Sequence, residues 1–153
     1  MTLFDANTFG QMSFTESNST ESVPVPVGEW PATISDKKID TWAAKDGSSS
    51  GLKMYVYWDI EDPAVREVTG REKSRVRQEF MFDLVEGTGA LDFGKGKNVR
   101  LGRLREATGL NTPGQAFSFD MLVGRVAKVN VKHRPDNRDA SILYAEVTDA
   151  ARM

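Results

Sequence analysis

The stretch Leu52-Lys53-Met54-Tyr55-Val56-Tyr57-Trp58-Asp59-Ile60 decides the fold. Its apolar residues, Leu52, Met54, Val56, Trp58 and Ile60, alternate with Lys53, Tyr55, Tyr57 and Asp59. A period of two is the period of a β-strand, whose side chains point alternately to its two faces, so one face here is buried and the other is not. Such a strand needs partners of the same pattern. Arg75 to Leu84 is one, with Val76, Phe80, Phe82 and Leu84 on one side and Arg75, Arg77 and Glu79 on the other. Leu122 to Lys132 is a second, placing Ala127, Val129 and Val131 inward and Lys128, Asn130 and Lys132 outward. Glu29 to Ile39 and Ile142 to Val147 complete five strands.

One segment has a different period. From Asn98 to Thr108, Val99, Leu101, Leu104 and Ala107 recur at three- and four-residue spacings, with Gly109 as a stop signal and Pro113 just beyond. That predicts a helix. Asp62-Pro63 reads as a turn, residues 43–51 as a loop and residues 134–139 as a hairpin-type loop. The order is three strands, one helix, two strands. It predicts a mostly-β chain: a five-stranded OB-type Greek-key barrel with one helix between strands three and four.

The chain has 153 residues, enough for one domain. Residues 1–27 differ from the rest, with no Lys or Arg and three acids, Asp5, Glu16 and Glu21. Their Ser, Thr and Asn content predicts a flexible polar arm, ending in the extended Val-Pro-Val-Pro-Val run at 23–27, ahead of an OB-type domain at 28–153. No stretch approaches the roughly 18 apolar residues of a membrane helix, so no membrane partner is expected. The first residues do not read as a secretory signal. Cysteine is absent and His133 is the only histidine, which removes thiolate zinc sites and cysteine nucleophiles.

Three motifs need weighing. Gly89-Ala90-Leu91-Asp92-Phe93-Gly94-Lys95-Gly96 nearly matches a phosphate-binding loop, but Gly96 stands where a magnesium-ligating hydroxyl is required. It reads as a basic connection whose Lys95 and Lys97 could touch phosphates. Asp59, Glu61, Asp62 and Asp83 lack the lysine spacing of a metal nuclease and read as strand-end and turn residues. His133 ends an outward basic strand edge with no nucleophile singled out beside it, so no catalytic role is expected. The chain is read as non-enzymatic, needing no cofactor and no metal.

What rises above background is cations interleaved with aromatics on strands. Tyr55 and Tyr57 project opposite the buried face, and Arg75 and Arg77 take the matching face of the next strand, with Lys73 just ahead. Cations neutralise phosphates, and tyrosine rings stack on any base. Lys128, Lys132 and Arg134 add positive charge. Trp42 falls in the loop after the first strand, near Lys37, Lys38 and Lys45; Arg134 and Arg138 make the last hairpin loop basic as well. In an OB-fold these two loops flank the binding face. The same surface suits a structural or protein-interaction module, whose affinity would be insensitive to salt; magnesium-dependent turnover would instead reveal a small enzyme.

With these residues assembled, the chain resembles the single-stranded DNA-binding proteins of tailed bacteriophages that have an OB-fold core. The likeness runs from about Val25 to Val147 and is most specific at Gly94-Lys95-Gly96-Lys97-Asn98-Val99-Arg100-Leu101-Gly102-Arg103-Leu104-Arg105-Glu106-Ala107-Thr108-Gly109-Leu110-Asn111. Trp58-Asp59-Ile60 and Leu122-Val123-Gly124-Arg125 add to it. The resemblance implies a protein that protects single strands during phage replication and recombination, in the cytoplasm of the infected bacterial host, beside phage or host replication proteins. Many such proteins end in an acidic tail. Here the final residues, Asp149 to Met153, are not strongly acidic, and the acidic segment lies at the start.

Overall fold

The computed structural model describes residues 4–20 and 23–153. Five strands form one sheet: β1 (Gly28–Ala43), β2 (Ser50–Ile60), β3 (Ser74–Met81), β4 (Val126–Pro135) and β5 (Leu143–Ala151). Their order is β1-β2-β3-β5-β4, and β4 returns to β1, so the sheet closes into a ring. Neighbours run antiparallel except β3 and β5, which are parallel and meet through the single register pair Arg77–Glu146.

β1 makes the closure possible because it serves two partners. Gly28–Thr33 pairs with β4, Thr33–Ala43 pairs with β2, and the register shifts between Ile34 and Asp36. The residue at the shift, Ser35, turns its Oγ to donate to the Tyr57 carbonyl at 3.1 Å. An extra residue on one strand bends it and increases its twist, which is what a small ring requires.

The inward faces follow the sequence pattern. Met54, Val56, Trp58 and Ile60 of β2, Val76 and Phe80 of β3, and Ala127, Val129 and Val131 of β4 are buried together with Ala32, Ile34 and Val147. Burying side chains of this size stabilises by about 1.5–3 kcal/mol each. Two polar residues share the inward face of β3, Ser74 and Gln78. Phe82 lies past the end of β3 and is only partly buried.

Among the described residues three α-helices accompany the ring: α1 (Ala6–Gln11), α2 (Pro63–Thr69) and α3 (Val99–Ala107). The helix expected between strands three and four is α3, which packs against β5 and buries Leu101, Leu104 and Ala107. Val99, expected on the same face, is exposed instead, because it starts the helix beyond the edge of the core. The turn expected at Asp62-Pro63 is the start of α2. Asp62 Oδ1 accepts the Ala64 N–H at 2.9 Å, Pro63 begins the helix, and Gly70 ends it at φ 72°. A 3-10 turn at Phe119–Leu122 occupies the beginning of the segment expected to open the fourth strand.

β1 runs four residues further than the sequence suggested, which moves Trp42 out of the expected loop and into the strand, opposite Gly51. Gly51 explains the extension. The indole lies against its bare backbone, and a Cβ there would come 2.8 Å from Trp42 Nε1.

The packed structure begins before Gly28. Val25 is 2% exposed and belongs to the core. Its carbonyl hydrogen-bonds His133 Nε2 at 2.7 Å, Trp30 Nε1 donates to the Pro26 carbonyl at 2.9 Å, and Arg71 donates to the Val23 carbonyl at 3.1 Å. Ahead of this segment, α1 is capped by Asp5 and buries none of its residues.

Candidate nucleic-acid interface

The outward face of β2 and β3 carries the residues that the alternation predicts. Tyr57 is paired with Arg77, Asp59 with Arg75 and Tyr55 with Glu79. Both tyrosines are half-buried and both arginines exposed. The Arg77 guanidinium lies 4.3 Å from the centre of the Tyr55 ring, and that of Arg75 lies 5.6 Å from Tyr57. Cations held over ring faces are attracted by the ring quadrupole, and here they fix the aromatic planes. Lys53 Nζ donates to the Tyr55 hydroxyl at 3.0 Å, and that hydrogen bond holds the ammonium above its ordinary pKa.

The face continues across the seam where β3 meets β5. Register places Tyr57, Arg77, Glu146 and Lys132 in one row over β2, β3, β5 and β4. Along this seam lies an open cleft of about 890 Å³, whose lining includes Tyr57, Arg75, Arg77, Arg100, Arg134 and Tyr144. Among the described residues Glu79 and Glu146 are its only carboxylates, so four guanidiniums face two acids. Two of those guanidiniums are partly spoken for, Arg75 by Asp59 at 3.3 Å and Arg134 by Glu146 at 3.4 Å. Arg77 and Arg100 have no carboxylate within 4.0 Å among the described residues. The cleft therefore presents positive charge beside ring faces, the combination that takes a phosphate backbone and its bases.

The sequence did not mark Tyr144 or Arg100. Tyr144 is the cross-strand partner of Arg134, whose guanidinium lies 5.5 Å from its ring, and its hydroxyl donates to Asp136 Oδ2 at 2.8 Å. Pairing the last two strands through the loop at 136–142 would have found it. Arg100 comes from α3, and nothing in the chain order says which way a helix's first turn leans.

The remaining expected residues, Tyr55 among them, lie outside the cleft. Lys73 pairs with Glu61 at 3.5 Å, ahead of β3, and Lys128 pairs with Glu29 at 3.3 Å on the β4–β1 side. Lys132 is next to the cleft through Glu146 but does not line it. Trp42 sits at the far tip of the β1–β2 pair, with its Nε1 buried and unpartnered. Of the basic rim, Lys37 is held by Asp120 at 2.8 Å and Lys38 lies 3.8 Å from Asp40.

The carboxylates noted in the sequence have structural partners. Asp62 caps α2, Asp59 and Glu61 meet Arg75 and Lys73, and Asp83 receives the Asn98 N–H at 2.8 Å. The glycine-rich segment does connect a strand to a helix, but the sheet around it is largely antiparallel. Among the described residues no helix is long and apolar enough to cross a membrane. No family model and no curated protein matches the chain.

Proposed function

We propose that this chain binds single-stranded DNA with little sequence preference, through the cleft over the β3–β5 seam, on a ring of OB type. The observation that carries the reading is the convergence of Arg75, Arg77, Arg100 and Arg134 with Tyr57 and Tyr144 in one open cleft. An open cleft with exposed cations and ring faces suits a flexible strand better than a small molecule, which needs enclosure. The OB assignment is supported by the order β1-β2-β3-β5-β4 with a helix between β3 and β4.

Binding alone is the work, so the reading includes no catalysis and no cofactor. A place in phage DNA replication and recombination, in the cytoplasm of the infected host beside replication proteins, follows from the resemblance in sequence and is proposed on that ground. The alternative is a phage structural or protein-interaction module, for which the exposed Phe4, Phe9 and Phe14 around α1 speak.

Anisotropy titration of single- and double-stranded oligonucleotides over a salt series tests the reading. With Arg77 and Arg100 each neutralising a phosphate and the ion-paired Arg75 and Arg134 contributing less, the log–log slope for the cleft should lie between about −1.4 and about −3, at roughly 0.7 per contact. Single strands should bind more tightly than duplex, because stacking needs unpaired faces. Equal affinity for duplex removes the stacking role of the tyrosines, and salt-insensitive or absent binding favours the protein-interaction module.

A further inference from the structure

Residues 82–98 connect β3 to α3 and fold on themselves in two parts. In the first, Leu84 pairs with Leu91 and the Val85 N–H donates to the Ala90 carbonyl at 2.7 Å. The second is a five-residue turn closed by one side chain. Asn98 Nδ2 donates to the carbonyls of Asp83 and Asp92 at 2.8 and 2.9 Å, and Asn98 Oδ1 accepts the Asp83 N–H at 2.8 Å. Asn98 itself sits at φ 52°, a conformation asparagine tolerates better than most residues.

This clamp pins Asp92 to Asn98, and everything between them is displayed outward. Phe93 is 79% exposed. Lys95 and Lys97 are exposed, and neither has a carboxylate within 4.0 Å among the described residues. The neighbouring acids are turned to the backbone instead, Asp92 Oδ1 to the Gly94 N–H and Asp83 Oδ2 to the Asn98 N–H, both at 2.8 Å. One exposed apolar side chain needs no explanation. An exposed ring followed by two lysines that have no carboxylate partner among the described residues, on a turn tied at both ends, has the chemistry of the cleft repeated.

The turn is also connected to the cleft. A notch of about 140 Å³ lies at its base, lined by Met81, Asp83, Asn98, Val99 and Arg100 among others, and it shares Met81 and Arg100 with the cleft. The notch and the cleft thus meet at Met81 and Arg100, while Lys97 lines a separate groove along α3 and β5.

We propose that the Phe93–Lys97 turn is a second contact for the same single strand: Phe93 stacks a base and Lys95 and Lys97 neutralise phosphates of nucleotides that leave the cleft past Arg100. The inference rests on the single-strand reading of the cleft. It makes affinity depend on strand length, since a short strand fills the cleft without reaching the turn.

Anisotropy with labelled oligothymidylates of about 4 and about 16 nucleotides, the range of site sizes for one OB-fold, reads this directly. Phe93→Ala should weaken the long strand by about 5- to 150-fold, the loss of one base–aromatic stack, and leave the short strand unchanged. The double variant Lys95→Gln/Lys97→Gln should make the salt slope on the long strand shallower by about 1.4 and spare the short one. Tyr57→Ala is the control and should weaken both lengths. If it does so while Phe93→Ala changes neither, or changes both equally, the turn assignment fails and the cleft reading stands. If the unmodified protein binds neither length, both fail together. A sedimentation change in Phe93→Ala without any change in DNA affinity makes the turn a protein contact and overturns the proposal. Phe93 is exposed, so an unaltered thermal unfolding curve is expected and confirms that each variant is folded.

Discussion

Inside the core, the indole N–H of Trp58 donates to the side-chain oxygen of Gln78 across 3.0 Å. The two residues face each other diagonally on β2 and β3, and both are buried. A polar group in this position is tolerated because its partner satisfies it; alone, it would lose its hydration with no return. Gln78→Leu should therefore destabilise by about 1–3 kcal/mol by orphaning the indole N–H. The double variant Trp58→Phe/Gln78→Leu should cost less than the two single changes summed. Urea unfolding of the four proteins checks the coupling.

The cleft separates two kinds of contact. Tyr57→Ala should weaken single-strand binding by about 1–3 kcal/mol with little change in salt slope, since no cation is removed. Arg77→Ala should make the slope shallower by about 0.7. Arg75 already shares its charge with Asp59, so Arg75→Ala should move the slope less than Arg77→Ala. Salt titrations of the three variants rank them.

Asn98 makes three side-chain hydrogen bonds from a left-handed backbone. Asn98→Ala loses the bonds and keeps a Cβ in a left-handed conformation that alanine tolerates less well than asparagine, and should cost about 2–4 kcal/mol. Asn98→Gly loses the same bonds but removes the Cβ, and should cost less. Thermal unfolding of both variants distinguishes them.

The Tyr144 hydroxyl is held above its ordinary pKa chiefly by its hydrogen bond to Asp136. Asp136, which accepts the Arg138 N–H as well as the Tyr144 hydroxyl, is held below the usual carboxylate range. A raised phenol contributes below its unfolded value and stops contributing as pH rises through the folded one. A depressed carboxylate contributes above its unfolded value and stops as pH falls through the folded one. The contact is thus intact from mildly acidic to mildly alkaline pH. Ultraviolet titration should show one tyrosine shifting downward in Asp136→Asn.

Three of the five strands, β2, β3 and β4, were legible because they alternate, and alternation reports a half-buried sheet directly. Met54, Val56, Trp58 and Ile60 are buried as read. Gln78 interrupts the apolar side of β3, and only its partner on β2 shows why it belongs in the core. The helix α2 was missed although Asp62, Pro63 and Gly70 mark both its ends, because seven residues give too little periodicity. Polar Asp40 and Thr41 ahead of Trp42 point to a loop there; its place in β1 depends on Gly51 across the sheet. Tyr55, Tyr57, Arg75 and Arg77 could be read as one face from parity alone. The cleft itself could not, since the meeting of β3 and β5 is a contact between residues 69 positions apart, Arg77 and Glu146.

That meeting makes the ring a belt fastened by one narrow buckle. Every other neighbouring pair of strands is stitched at several positions, but this one closes at a single pair. Local opening starts where pairing is thinnest, so the belt loosens here first. Tyr57 and Arg77 lie on one side of the buckle, Arg134 and Tyr144 on the other. A ligand spanning the cleft holds both sides at once and suppresses opening in proportion to its saturation. Whatever occupies the cleft acts as the tongue of the buckle, and the protein is most firmly closed when it is loaded.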